Sequence, residues 1–158
     1  MNSGKRFERQ WAKSAGRFDT TKVYRIPDKM FVSNNQLFSK ESEADFFWFR
    51  SGKMTAMVEC KAHSGRSIPF AMLRPEQEES ILSYKGFAEG IVAVNLYDKD
   101  DIRNFNRCFH IPIEVWVEYR EKLERKSLPI QVMEDDDRIL EFPRIKGSVW
   151  DMTTAVSR

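Results

Sequence analysis

Apolar residues recur at one-turn spacing in the first segment: Phe7, Trp11, Ala15 and Phe18 make a stripe that predicts a helix over residues 2–17, with Ser3 as its N-cap. Val23-Tyr24-Arg25-Ile26 reads as a short strand closed by the Pro27-Asp28-Lys29 turn, and the polar stretch from Ser33 to Glu43 reads as loop. The pattern then sharpens. Ala44 to Phe49 and Met54 to Cys60 are two strand-length runs joined by a Ser51-Gly52-Lys53 hairpin turn. Apolar side chains at consecutive positions of the first run imply a strand covered on both faces. Arg74-Pro75-Glu76-Gln77 opens a helix that carries Gln77, Ile81, Tyr84 and Ala88 on one side and ends at Gly90. Ile91 to Leu96 reads as a buried strand and Phe109 to Ile111 as another. Pro112 starts a helix with Ile113, Trp116, Val117 and Leu123 at helical spacing. From Ser127 the tail reads as irregular, with a weak strand at Ile139 to Phe142. This order of elements predicts an α/β fold, a mixed sheet with helices on both faces.

With 158 residues, the chain has the size of a single domain over 1–158, enough to bury roughly 70% of its unfolded surface. A hydrophobic fraction of 41% with 13% aromatic residues argues against disorder. No apolar run approaches the ~20 residues of a membrane helix, and the charged N-terminus does not read as a signal peptide. Two cysteines, Cys60 and Cys108, make neither a disulfide framework nor a cysteine zinc site, so a cytoplasmic location is expected. The net charge of +2 decides nothing by itself, but its distribution matters. Lys5, Arg6, Arg9, Lys13 and Arg17 crowd the first helix, while Glu134 to Asp137 form an acidic run expected to be a solvated loop.

The chemistry concentrates at Glu59-Cys60-Lys61. On a strand, Glu59 and Lys61 project to one face and Cys60 to the other. A carboxylate and an ammonium among Met, Ala and Val are costly to bury, although a solvated ion pair on a strand is the ordinary occurrence of such a trio. With a three-residue turn at Ser51 to Lys53, Asp45 lies opposite Glu59, their Cβ atoms ~5 Å apart. Two like charges at that distance call for a cation, and Mg2+ accepts carboxylate and carbonyl oxygens while retaining water. Lys61 beside them is placed to activate a water and to stabilise charge on a phosphate. Pro27-Asp28 followed by Glu59-x-Lys61 literally spells the PD…ExK label of a nuclease superfamily. Asp28, however, sits in a turn signal, whereas Asp45 opens a strand that pairs with that of Glu59, and Asp45 is the expected metal ligand.

These residues resemble those of the RecU-type Holliday junction resolvases, members of the restriction-endonuclease-like superfamily. Gly4-Lys5-Arg6-Phe7-Glu8 is similar to the family's first-helix motif, Ala44-Asp45-Phe46 to its aspartate followed by an aromatic residue, and Glu59-Cys60-Lys61-Ala62 with Ser67-Ile68-Pro69-Phe70 to its central stretch. Pro75-Glu76-Gln77 matches its helical glutamine, and Arg125-Lys126-Ser127-Leu128-Pro129 resembles a late Arg-Lys-Ser-Ile-Pro motif. The correspondence runs in order from about Gly4 to Pro143. It implies a restriction-endonuclease-like mixed β-sheet flanked by helices, and a Mg2+-dependent homodimer (Mn2+ as a substitute) that cuts four-way DNA junctions symmetrically. In that reading Asp45, Glu59 and the Cys60 carbonyl hold metal, Lys61 orients or activates water, and Glu8 and Gln77 complete the site. The family's stalk falls between the first strand and the aspartate. Here Pro27 to Asp45 is too short for a full one, and Glu43-Ala44 replaces the family's Ser/Thr pair.

A junction-cutting enzyme needs cations for phosphates. Lys5, Arg6, Arg9 and Lys13 flank Glu8 on the first helix, and His63 and Arg66 lie in the Ala62 to Pro69 loop that follows the acidic strand. His63 is read as a DNA-contacting residue rather than a general base. Two alternatives stay open: a nuclease of the same fold acting on duplex, ends or a specific sequence, and a DNA-binding module that has lost its metal.

Overall fold

The computed structural model describes residues 2–145 and 149–157. The elements are α1 (Ser3–Ala15), β1 (Thr21–Arg25), β2 (Lys29–Ser33), β3 (Gln36–Lys40), β4 (Phe46–Arg50), β5 (Ala56–Ser64), β6 (Ser67–Pro69), a 3-10 turn (Phe70–Met72), α2 (Pro75–Ser83), β7 (Glu89–Tyr97), β8 (Asn106–Pro112), α3 (Ile113–Lys122), β9 (Ser127–Pro129), α4 (Ile130–Asp135), β10 (Leu140–Phe142), β11 (Arg144–Ile145) and β12 (Val149–Trp150). Six strands form one sheet in the order β1-β4-β5-β7-β8-β10, parallel only between β5 and β7 and antiparallel elsewhere. That single parallel pair requires a crossover, and α2 lies within it. The chain is therefore a mixed α/β fold, as its element order predicts.

The two faces are covered by different helices. On one, Phe7, Trp11 and Ala15 of α1 are fully buried against Phe46, Trp48, Ala56, Val58 and Cys60. On the other, Met57, Val92, Val94 and Phe109 form a core with Ile81 of α2 and Ile113 and Trp116 of α3. The helical stripe is as expected, but Asn2, not Ser3, caps α1: its side-chain oxygen accepts the Lys5 N–H at 2.8 Å. Phe18 lies beyond the helix end. The second cover reaches β4 only at Phe47, which is half-buried against that core, and leaves Tyr24 of β1 and Phe49 of β4 55% and 45% exposed.

Gly90 does not end a helix. α2 closes at Ser83, and Gly90 lies inside β7, where a Cβ would stand 2.4 Å from Ile81 Cγ2 and 2.6 Å from Ile113 Cγ2. Only a bare backbone lets both helices close on that strand. The tail is more ordered than its sequence suggests: β9 pairs with β6, and Leu128 and Met133 are fully buried. The acidic run is engaged as well, with Glu134 2.6 Å from Arg107 and Asp136 accepting from the Tyr119 hydroxyl at 2.6 Å. The segment read as loop, Ser33 to Glu43, holds the turn and second strand of the β2–β3 hairpin, and β2 begins at Lys29, the last residue of the predicted turn. Asn34 and Asn35, with φ of 50° and 60°, supply the two left-handed residues of a tight turn. All ten of its strand residues are exposed, so the alternation that marks a half-buried strand is missing from its sequence. A short exposed ribbon, two strands of five residues, thus stands where the sequence reading allowed too little chain for a full stalk.

Trp11 stacks on Phe46 at 5.2 Å, meets Trp48 edge-on, and donates its indole N–H to His110 Nε2 at 2.8 Å. An imidazole that accepts there is neutral, and burial pushes its pKa down to about 3. The unfolded chain binds a proton at His110 near pH 6.5 that the folded chain refuses until about pH 3, so stability falls as pH drops through that window. Chemical denaturation at pH 6.5 and 5.0 is expected to show about 2 kcal/mol less stability from this residue at the lower pH. His110→Gln, which keeps an acceptor for Trp11, flattens that slope, and an unchanged slope would refute the assignment.

Candidate active site

The β4–β5 ladder pairs Phe46 with Val58, Phe47 with Met57 and Trp48 with Ala56. One step further along the same register, Asp45 stands across from Glu59, with its N–H donating to the Val58 carbonyl at 3.1 Å. The Asp45 carboxylate accepts the Cys60 N–H at 2.7 Å, and its carbonyl accepts the Ile26 N–H at 2.9 Å, which fixes the residue between β1 and β5. Glu59 is 4% exposed, and Lys61, two residues on and on the same face, brings Nζ to 2.9 Å from Glu59 Oε1. This ion pair is buried, unlike the solvated pair usual on a strand.

Gln77 locks the arrangement from α2. Its Oε1 accepts the Arg74 N–H at 3.1 Å and the Lys61 ammonium at 3.2 Å, while its Nε2 donates to Glu59 Oε1 at 2.8 Å. The Arg74 donor fixes which end of the amide faces it, so the amino end must meet an acceptor at Glu59. Burial is the main reason the Asp45 pKa is pushed up to about 7, with the Glu59 charge adding to it and the Cys60 N–H opposing. Burial also raises the Glu59 pKa, against the pull of Lys61. The Cys60 side chain points to the α1 face, where burial holds its thiol protonated, so only its backbone belongs to the site.

These groups open into a cleft of about 250 Å3 lined by Arg25, Ile26, Pro27, Asp28, Glu41, Ser42, Asp45, Glu59 and Gln77. Asp28 contributes to the rim, where its carboxylate caps the Ser42 N–H at 2.9 Å and braces the base of the hairpin. Glu8 has no hydrogen bond to the acid pair, but its partner Arg25 lines the same cleft. Glu8 lies on α1, bonded to Arg25 at 2.8 Å, and acts on Asp45 and Glu59 through its charge. A larger cleft of about 920 Å3 opens on the α1 side of the sheet, between Trp48, His110 and Phe142. Asp45, Glu59 and Lys61 do not line it.

Among the described residues no three His, Cys, Asp or Glu side chains converge as a complete metal cage. Mg2+ requires less, being held by one or two carboxylates and its own waters. Two buried, opposed carboxylates whose pKa values are both raised fit such an ion, because its charge offsets the desolvation that chiefly raises them and the repulsion that Glu59 adds at Asp45.

Of the expected DNA contacts, Lys5, Arg9 and Lys13 are exposed along one side of α1. Arg6 is instead tucked against the Tyr97 ring at 4.9 Å, with Nε and Nη2 buried and without hydrogen-bond partners. Arg66 lies exposed at the β5–β6 turn, 3.7 Å above the Phe105 ring. His63 follows Lys61 on the same strand face, half-buried. The sequence reading missed Arg25, Tyr97 and Phe105. Arg25 carried a weak signal as a cation directly across β1 from the Asp45 strand, whereas the two rings arrive from segments remote in sequence.

No family model matches the chain, and no curated protein matches it. No helix among the described residues is long and apolar enough to cross a membrane.

Proposed function

We propose that the protein is a Mg2+-dependent DNA endonuclease selective for branched substrates, resolving four-way junctions by paired nicks as a homodimer in the cytoplasm. The observation that carries the reading is the buried Asp45–Glu59 pair with Lys61 and Gln77 around it, facing a polar cleft. Asp45 and Glu59 would hold the divalent ion, together with the Cys60 carbonyl. When bound, that ion supplies Lewis acidity toward a phosphate oxygen and makes water more acidic. Lys61 orients the attacking water and offsets charge developing on the phosphate, and Gln77 keeps the Glu59 carboxylate and the Lys61 ammonium in register. Lys5, Arg9, Lys13 and Arg66 offer charge to flanking phosphates.

Junction selectivity draws support from the hairpin, because Asp28, Glu41 and Ser42 at its base line the same cleft. Incubation with labelled four-way junction and with duplex of the same sequence, with and without Mg2+ or Mn2+, tests the proposal. Junction is expected to be cut in metal while duplex is spared. Equal cutting of both replaces it with a duplex nuclease; binding without cutting in either metal replaces it with a DNA-binding module.

A further inference from the structure

The sheet separates the acid pair from the larger cleft. Glu59 and Lys61 share the β5 face of Met57, whereas Trp48, His110 and Phe142 belong to the face covered by α1. At about 920 Å3 this second cleft has the size of a small-molecule site. Its floor carries an unused donor. The Trp11 indole can only donate, so the His110 Nε2 that accepts it is bare and the one proton of the neutral ring sits on Nδ1. That N–H has no acceptor among the described residues, although His110 is 4% exposed and lines the cleft. A buried donor left unmatched is uncommon. The Arg50 guanidinium lies 4.7 Å over the Trp48 ring, against which His110 also packs at 5.6 Å. Its Nη2 is taken by the Met54 carbonyl and Glu89, but its Nε is buried without a partner.

We infer that this cleft binds a small organic acid, with its carboxylate against the His110 Nδ1–H and Arg50 and its apolar body against the exposed Met54 and Leu140 side chains. A carboxylate only accepts, and the unmatched groups of the floor only donate. The outer lining favours the same charge. Lys53 and Lys85 are exposed and make no ion pair among the described residues, against one such acid, Glu114, while Arg138 is already held by Asp136 and Glu118. A DNA strand is the weaker occupant, because bases need open ring faces to stack on and Trp48 and Phe142 are 5% and 6% exposed. The inference goes beyond the proposed function and does not depend on it, since none of Asp45, Glu59 and Lys61 lines this cleft.

Calorimetric titration of the full chain, without DNA or metal, with naphthalene-1-acetate and with decanoate tests it, alongside NMR of the imidazole nitrogens. The chain has two histidines, so the His110 Nδ1 resonance is identified by its loss in His110→Gln. At least one of the two acids is expected to bind at a single site with a Kd below about 1 mM and to move that resonance downfield. Naphthalene-1-acetamide, which keeps the ring and lacks the charge, is expected to bind at least about tenfold more weakly than the acid. Leu140→Glu and Lys85→Glu, both exposed positions of the lining, are each expected to weaken acid binding at least about tenfold with unchanged circular dichroism. Failure of both acids to bind overturns the inference, as does binding that leaves the His110 resonance in place or is indifferent to both substitutions. A four-way junction that competes a bound acid off also overturns it, by assigning the cleft to DNA.

Discussion

Glu59→Gln and Asp45→Asn are each expected to slow junction cleavage by at least about a thousandfold while leaving junction affinity within about tenfold. Either change removes one of the two opposed carboxylates on which a divalent ion depends, yet it preserves shape and hydrogen bonding. An asparagine at 45 still accepts the Cys60 N–H through its carbonyl, and a glutamine at 59 still fits beside Gln77. On the proposed reading, affinity would be spread over phosphate contacts from α1 and the β5–β6 turn and would survive the loss of one buried acid. Single-turnover cleavage in Mg2+ and fluorescence anisotropy in metal-free buffer separate the two quantities. Near-normal cleavage by either variant would remove the proposed chemistry, and a collapse of binding would refute the division between holding and cutting. Asp28→Asn should cut normally, because its carboxylate caps a loop at the rim instead of facing Glu59.

Asp45→Asn is also expected to make the metal-free protein more stable, with a gain that depends on pH. The Asp45 pKa is near its ordinary value in the unfolded chain and about 7 in the folded one. Between those values the folded chain holds a proton that the unfolded chain has released, so the carboxylate costs the native state more as pH rises, in full above about pH 7. Asparagine carries no charge to desolvate. The variant should therefore match the wild type near pH 4 and exceed it by about 2–4 kcal/mol at pH 8, read from denaturant midpoints. Millimolar Mg2+ is expected to raise the wild-type melting temperature at pH 8 and to leave that of the variant unmoved. A variant less stable than the wild type at pH 8 would mean that the charge is not strained in the native state.

The acid pair was legible because a hairpin register is short-range arithmetic. A three-residue turn at Ser51 to Lys53 sets Phe46 against Val58 and hence Asp45 against Glu59, which is the pairing observed. Pro75 marked where α2 begins and so placed Gln77 in its first turn, but its part in the site came from the match to the family's helical glutamine. Gly90 was misread because its role depends on Ile81 and Ile113 converging from two helices, a fact that no local window contains. The hairpin was missed for the opposite reason, since it has no buried face to imprint a period of two. Its Asn34-Asn35 turn was the available signal. Tyr97 and Phe105, the rings beneath Arg6 and Arg66, belong to contacts across the tertiary structure that spacing does not encode.

The Gln77 amide serves two masters at once, because the oxygen that satisfies the first free N–H of α2 also holds the ammonium of Lys61. Any substitution that frays the beginning of that helix therefore loosens the reactive groups by the same movement. Such damage should register as lost turnover well before it registers as lost folding, so the entry to α2 is where a harmless-looking change would most easily silence the protein.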